Sequence, residues 1–131
     1  MSNGPNNVTV AGNLTKDPEL RFLPSGQATT SFSLAVNRSW QNQATREWEE
    51  ETCYVDVVCW GDLAQNVAES ASRGNRCVVS GRLGQRSWEN AEGQKRSKVE
   101  ITADDVALSL RFATGQMTKA TRAAAGTSPA A

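Results

Sequence analysis

Alternation of apolar and polar residues with a period of two recurs along most of this chain. It is clearest in five segments, at residues 8–14, 28–40, 52–60, 76–88 and 95–103. Because successive side chains of a β-strand point to opposite faces, each segment is predicted to be a strand with one buried face. Turn-forming Gly, Pro and Asn residues lie between the segments. The chain is therefore predicted to be mainly β.

One segment between the third and fourth strands has helical spacing instead. Its apolar residues recur every one to four positions along one stripe: Leu63, Ala64, Val67, Ala68 and Ala71. Asp62 is the predicted N-cap and Gly74 the predicted stop. Three strands, one helix and two strands is the order of the oligonucleotide-binding (OB) fold. The expected fold is all-β with one helix, a five-stranded OB-fold barrel with extended hairpin loops at 41–51 and 90–93.

Particular positions follow from the alternation. Leu83 and Val99 are expected to face inward with the other aliphatic residues of their strands, and the three cysteines are expected to be buried as small apolar side chains. Gly12 and Gly81 are expected to mark close backbone approach or a bend. After Asp105 the alternation continues through Val106, Leu108, Leu110 and Phe112, which predicts a further C-terminal strand.

The length of 131 residues fits one domain and a tail. We place the OB-fold domain at residues 1–112. Residues 113–131 are predicted to be a flexible C-terminal tail lacking an acidic tip, because their end is rich in Ala and Thr and no acidic residue follows Asp105.

Several classes of function are disfavoured by composition. The chain has no histidine, which rules out Ser-His-Asp and Cys-His nucleophile systems, and Cys53, Cys59 and Cys77 lie singly without a C-x-x-C pair. No glycine-rich nucleotide loop occurs. The expectation is a protein that is not an enzyme and binds no cofactor or metal. No signal peptide or apolar span is apparent, so an intracellular, cytoplasmic protein with no membrane contact is expected.

The aromatic residues carry the strongest functional signal. Four residues lie at strand ends or on the polar face of a strand: Trp40, Tyr54, Trp60 and Trp88. Arg82 and Arg86 share the parity of Trp88. Exposed rings interleaved with cations are what unpaired bases and their phosphates need. The alternative is that these rings form a second core layer or a subunit interface, and Trp48 in the polar loop is either a stacking platform or a loop anchor.

The residues also resemble a known family, the bacterial single-stranded DNA-binding proteins. The matching stretches run in order from about residue 5 to residue 112: Val10-Ala-Gly-Asn-Leu14, Asp17-Pro-Glu-Leu-Arg21, Pro24-Ser-Gly26, Tyr54-Val-Asp-Val-Val-Cys-Trp-Gly61, Leu63-Ala-Gln-Asn-Val-Ala68 and Gly81-Arg-Leu83. The resemblance implies an OB barrel assembled as a homotetramer with single-stranded DNA wrapped around it.

The resemblance also implies roles for particular residues. Trp40, Tyr54, Trp60 and Trp88 occupy the base-stacking positions of the family. Arg86 and Arg96 match positions that contact the DNA backbone, and Arg73 is a weaker match. The predicted set of cations on the single-stranded DNA is completed by Arg38, Arg82 and Lys98.

The segment from Ser109 is similar to the actinobacterial branch, whose members add a strand that clamps neighbouring subunits. Two features depart from the family. Asp56 stands where many relatives have a basic residue, and Gln43, Glu49 and Asp62 replace other lysines that are frequent in the family. With fewer cations, weaker and less salt-sensitive binding is expected. The sequence ends without the acidic tip that recruits replication and repair proteins in the family.

The sequence thus favours sequence-independent binding and protection of single-stranded DNA during replication, recombination and repair, at the nucleoid. One alternative is an OB-fold adaptor for proteins, such as a primosome component. A second is a tail-less paralogue with a specialised role. RNA also stays open as a ligand, because stacking does not distinguish ribose from deoxyribose.

Overall fold

Six strands and one helix follow one another in the computed structural model, which describes residues 4–121. The elements are β1 (Val8–Leu14), β2 (Glu19–Phe22), β3 (Ala28–Gln41), β4 (Trp48–Trp60), α1 (Gly61–Ser70), β5 (Arg76–Glu89) and β6 (Lys95–Leu108). The five predicted strands and the helix are confirmed, and β2 is added. Four residues of alternation at β2 were too few to predict a strand.

The strands close into a barrel. Their order is β1-β5-β6-β4-β3-β2, and β1 also pairs with β3. That closing contact joins Asn13 to Ala35 and Leu14 to Leu34. The strand β2 pairs only with β3, so it is an extra strand at the side of a closed five-stranded barrel. The predicted OB-fold architecture, all-β with one helix, is confirmed.

The barrel interior is filled by aliphatic side chains from every barrel strand and by the helix. The largest fully buried side chains include Leu34, Val57, Val79 and Ile101. Helix α1 contributes Ala64 and Val67 to the same core. The hydroxyl of Thr30, the buried polar side chain of this core, donates to the carbonyl of Ala64 at 2.8 Å. A buried polar group is therefore satisfied, as it must be to avoid a desolvation cost.

Both predicted helix boundaries were wrong in detail. The N-cap position is Trp60, no side chain caps the helix, and Asp62 lies in the first turn. There its negative charge still interacts favourably with the positive end of the helix dipole. The helix ends at Ser70, and Gly74, with φ of 87°, belongs to the following turn.

A β-bulge explains the apparent break after residue 103. The pairing of β5 with β6 shifts by one between Ser80 and Gly81, so β6 has one extra residue and its inward parity changes. Ala103 and Val106 both contact the core although their numbers differ in parity. The alternation through Leu108 therefore continues β6 itself.

No strand occurs in residues 109–121, the rest of the described C-terminal part, and the extra strand of this fold is β2 instead. Leu110 and Phe112 are exposed there. The clamp between subunits that the resemblance implies stays a prediction. So does the tail at 113–131, because residues 122–131 lie outside the described residues.

Two hairpins extend beyond the barrel as two-stranded arms. In the first arm, residues 37–41 pair with 48–52, and the turn at 42–47 is shorter than the predicted loop at 41–51. In the second arm, residues 83–89 pair with 95–101 around a turn at 90–94. Leu83 and Val99 lie here on the same face as the buried Ile101, as predicted, but they are exposed, Val99 at 60 %, so the prediction that they join the core was wrong. An arm has no interior for them to fill.

The close approach of strands at Gly81 leads to a stability prediction. A Cβ at this position would lie 2.1 Å from the carbonyl oxygen of Thr102. The backbone of Thr102 can move away only at a cost in energy. Gly81→Ala should therefore lower the free energy of unfolding by about 1–3 kcal/mol. Gly84→Ala is the control, because its Cβ meets nothing closer than 3.7 Å. Urea unfolding at equal protein concentration measures both, and equal midpoints for the two variants would contradict the prediction.

The cysteines lead to a second prediction. Cys59 and Cys77 are buried, but Cys53 is exposed near the base of the first arm, which corrects the expectation that all three are core residues. Burial raises the pKa of Cys59 to about 12 and that of Cys77 to about 11, so both stay protonated at pH 8.

A thiol reagent at pH 8 should therefore modify one cysteine in the native protein and three in denaturant. Cys53→Ser should abolish the native reaction. Rapid modification of a second thiol in the folded protein would show that the core is accessible.

Candidate nucleic-acid interface

A shallow groove crosses the outer face of the sheet from β2 to β5. We call it the groove face. Most of its lining residues are polar or charged: Lys16, Glu19, Arg21, Thr29, Ser31, Ser33, Asp56, Arg86, Lys98 and Glu100. The others are apolar or aromatic: Leu23, Phe32, Val57, Val58 and Trp60, of which Phe32 and Val57 belong to the buried core. Three residues of the predicted site, Trp60, Arg86 and Lys98, are brought together here.

The pleat of β4 places its aromatic residues on this outer side. Val57 and Cys59 are buried, so Tyr54, Asp56, Val58 and Trp60 point the other way. Tyr54 is 71 % exposed and Trp60 is 41 % exposed. The alternative that these two rings form a second core layer is therefore not supported within this chain. Both are available for stacking.

Trp48 has the same parity and is also exposed, at 70 %. It begins β4 in the first arm, opposite Gln41. The sequence left open whether Trp48 is a stacking platform or a loop anchor. Its exposure on the same face of the strand as Tyr54 favours the platform.

The second arm adds two further predicted residues, Trp88 and Arg96, next to Arg86 and Lys98 on the same side of the sheet. Trp88 lies directly opposite Arg96, and Arg86 lies opposite Lys98. The Arg86 guanidinium lies 5.2 Å from the centre of the Trp88 ring. This cation–π contact holds a positive charge beside a ring that can stack on a base.

Arg38 and Trp40 lie on the other face of the first arm. They share the parity of the buried residues Phe32 and Leu34, opposite to that of Ser33 on the groove face. The Arg38 guanidinium lies 4.9 Å from the centre of the Trp40 ring. The predicted base-stacking role would put Trp40 on the same face as Trp60, but the structure does not place the two rings on one face. Trp40 is half-buried, in a two-stranded arm rather than over the core.

Arg73 and Arg82 also stand apart from the groove. Arg73 lies in the turn after α1, where its backbone N–H donates to the carboxylate of Asp17 at 2.8 Å. Arg82 lies on the outer face of β5 opposite Thr102, and its guanidinium is 3.9 Å from the carboxylate of Asp104. Neither side chain lines the groove face.

Two cations of the groove were not predicted from the sequence. Lys16 follows β1, and Arg21 belongs to β2, whose outer positions also include Glu19. In the sequence, Arg21 alternates with the apolar residues Leu20 and Phe22 next to a Pro-Ser-Gly turn. This pattern shows that Arg21 lies on the groove side only when β2 is known to pair with β3.

The charges of the groove are largely balanced inside the protein. The ammonium of Lys98 is 3.2 Å from a carboxylate oxygen of Asp56, and Arg21 is 3.1 Å from Glu19. Asp56 also accepts a hydrogen bond from the Ser33 hydroxyl. The Ser33 hydrogen bond is the largest cause that holds the pKa of Asp56 below its usual range; burial, the next largest, opposes it, and Lys98 and then Arg86 lower the pKa further. The carboxylate is therefore ionised at neutral pH.

Across residues 4–121, no group of three or more metal-ligating side chains is arranged to hold an ion. Over the same residues, no helix is long and apolar enough to span a bilayer. What the outer face offers is exposed rings, cations and hydroxyl groups on one sheet. These are the groups that contact bases and phosphates.

Comparison with known proteins agrees with this geometry. The model of the single-strand binding protein family matches residues 5–109. The chain belongs to this family. The match covers the whole barrel and both arms, and so includes every residue of the groove face.

Curated relatives come from actinobacterial genera, which confirms the resemblance to that branch. The single-stranded DNA-binding protein of Mycobacterium bovis is 46 % identical over 120 residues, which is 91 % of this chain and 73 % of the relative. That of Corynebacterium glutamicum is 46 % identical over 123 residues, 93 % of this chain and 55 % of the relative. Single-stranded DNA-binding protein 2 of Streptomyces coelicolor is 47 % identical over 113 residues, 86 % of this chain and 57 % of the relative.

A solved structure supports the fold. The Plasmodium falciparum SSB in complex with ssDNA superposes with a TM-score of 0.75, covering 82 % of this chain and 97 % of that chain. The sequence identity is 23 %. The barrel is thus shared although most side chains differ.

Proposed function

We propose that this protein binds single-stranded DNA independently of sequence and protects it during replication, recombination and repair. Bases stack on Tyr54, Trp60 and Trp88, and phosphates contact neighbouring cations such as Arg86 and Arg96. The observation that carries the proposal is that exposed rings and cations share the outer face of one continuous sheet. The names of the relatives and membership of the family support the same ligand.

Stacking explains why no particular sequence is required. Every base has a π-face, and each stacked base contributes about 1–3 kcal/mol. Rings on rigid strands lose little conformational entropy when a base stacks on them, since the strand already holds the side chain in place. Cation–π contacts such as that of Arg86 with Trp88 place a charge near each ring for the adjacent phosphate.

Binding of this kind is passive and needs no catalytic group, so the proposed protein is not an enzyme. The proposal includes a homotetramer acting in the cytoplasm at the nucleoid, as the family resemblance implies. Recruitment of replication and repair proteins is proposed only for a form of the protein that carries an acidic C-terminal tip. Of the two alternatives, an adaptor for other proteins would use the same exposed rings, but to bury them against a partner.

Titration with oligo-dT, followed by intrinsic tryptophan fluorescence, tests the proposal. We expect strong, saturable quenching, because bases would stack directly on Trp60 and Trp88. The quenching should persist at high salt with a modest shift in affinity, of about −0.7 in log K per log salt for each phosphate contacted. No quenching at any salt concentration would refute DNA stacking and favour the adaptor.

Single substitutions identify the rings involved. Trp60→Ala and Trp88→Ala should each weaken oligo-dT binding by about 5- to 150-fold, which corresponds to one lost stack of 1–3 kcal/mol. The control is Phe22→Ala, which removes an aromatic ring that is 61 % exposed on β2 but does not line the groove. It should change the affinity less than twofold. Equal losses in all three variants would mean that the rings act through folding or assembly.

A further inference from the structure

An ion pair lies near the middle of the groove face. Lys98 on β6 and Asp56 on β4 meet at 3.2 Å across two neighbouring strands. Both side chains are partly exposed, at 36 % and 41 %. The pair is thus accessible to a ligand lying in the groove.

Asp56 is anchored on its other side as well. The Ser33 hydroxyl, directly across the β3–β4 pair from Asp56, donates to its carboxylate. This hydrogen bond does not involve Lys98. If Lys98 turned toward another anion, the carboxylate would therefore still be held in the groove.

The position of Asp56 relative to the aromatic rings matters for the path of DNA. It lies on the same face of β4, two residues from Tyr54 and four from Trp60. At about 3.3 Å per residue, these separations are about 7 and 13 Å. A strand of DNA that stacks on both rings has to pass over the Asp56–Lys98 pair.

On the basis of the proposed function, we propose that Asp56 is a competing intramolecular anion, which a phosphate of the bound strand must displace from Lys98. Carboxylate and phosphate oxygens both accept from an ammonium group, so only one of them can fully neutralise Lys98 at a time. Asp56 therefore lowers the affinity of the groove for DNA, and it repels the phosphate that replaces it.

The exchange has a consequence for salt dependence. A free cation that binds a phosphate releases condensed counterions from the DNA, and this makes affinity fall with salt. At Lys98 this release of counterions is offset, because the Asp56 carboxylate loses its contact with Lys98 and then attracts a cation from solution. The Asp56–Lys98 pair should thus contribute little to the slope of log K against log salt.

Asp56→Asn tests the proposal, since asparagine keeps the size of the side chain and an oxygen for the Ser33 hydroxyl. We expect oligo-dT binding at low salt to strengthen by about three- to tenfold. The slope of log K against log salt should steepen by about 0.7, as for one additional phosphate contact on a single strand. Asp56→Ser removes the same charge with a shorter side chain and should change both quantities in the same direction.

Asp105→Asn is the matched control. It removes one carboxylate from an exposed position of β6 that does not line the groove, and it keeps an oxygen for the Val106 N–H. Affinity should change less than twofold. A gain equal to that of Asp56→Asn would mean that overall charge, and not competition at Lys98, governs binding.

The double variant Asp56→Asn/Lys98→Gln completes the test. Its salt slope should return to that of the wild-type protein, because the added phosphate contact requires Lys98. Unchanged or weaker binding by Asp56→Asn, with a native circular dichroism spectrum, would overturn the proposal and make Asp56 a residue that positions Lys98. If the wild-type protein itself fails to quench with oligo-dT, the proposed function fails, and the competition falls with it.

Discussion

Closure of the barrel between β1 and β3 is the constraint on which the rest of the structure depends. The two strands approach so closely at Gly12 that a Cβ there would lie 2.6 Å from the carbonyl oxygen of Ala35. Only two residue pairs make the contact, yet it turns an open sheet into a barrel with an inside. Once Leu34 and Val57 fill that inside, the alternate positions of the same strands must face outward. The exposure of Tyr54 and Trp60 follows from that closure.

The sequence predicted the parts of the fold that burial controls. Alternation over seven or more residues identified each barrel strand, because one face of such a strand has to be apolar. It failed where that requirement is absent or interrupted. Val99 was assigned to the core, but its arm has no core, and the change of parity around Asp104 was taken as a break between strands when it is a bulge within β6. A bulge is recognised only from the register between its strand and the neighbouring strand.

The candidate site was predictable to the extent that parity within one strand determines it. Tyr54, Trp60 and Trp88 were found in this way, and the structure places all three on the outer side of the sheet. Parity within β3 also places Trp40 on the side of Phe32 and Leu34, away from the groove, so its position apart from Trp60 could have been read from that one strand. The order of the strands was required for the ion pair, because Lys98 meets Asp56 only since β6 lies beside β4. A contact between residues 42 positions apart in the chain cannot be inferred from either local pattern.

The balance of charge also has a different meaning in the folded protein. Equal numbers of acidic and basic residues argue against a nucleic-acid ligand when phosphate attraction supplies the affinity. Here Arg21, Arg38, Arg82 and Lys98 each lie within 4 Å of a carboxylate. Stacking needs no net charge, so affinity can come from the rings while the paired cations act only when a phosphate comes close. A neutral protein of this design should discriminate against double-stranded DNA, because the bases of a duplex are already stacked and offer its rings no free face.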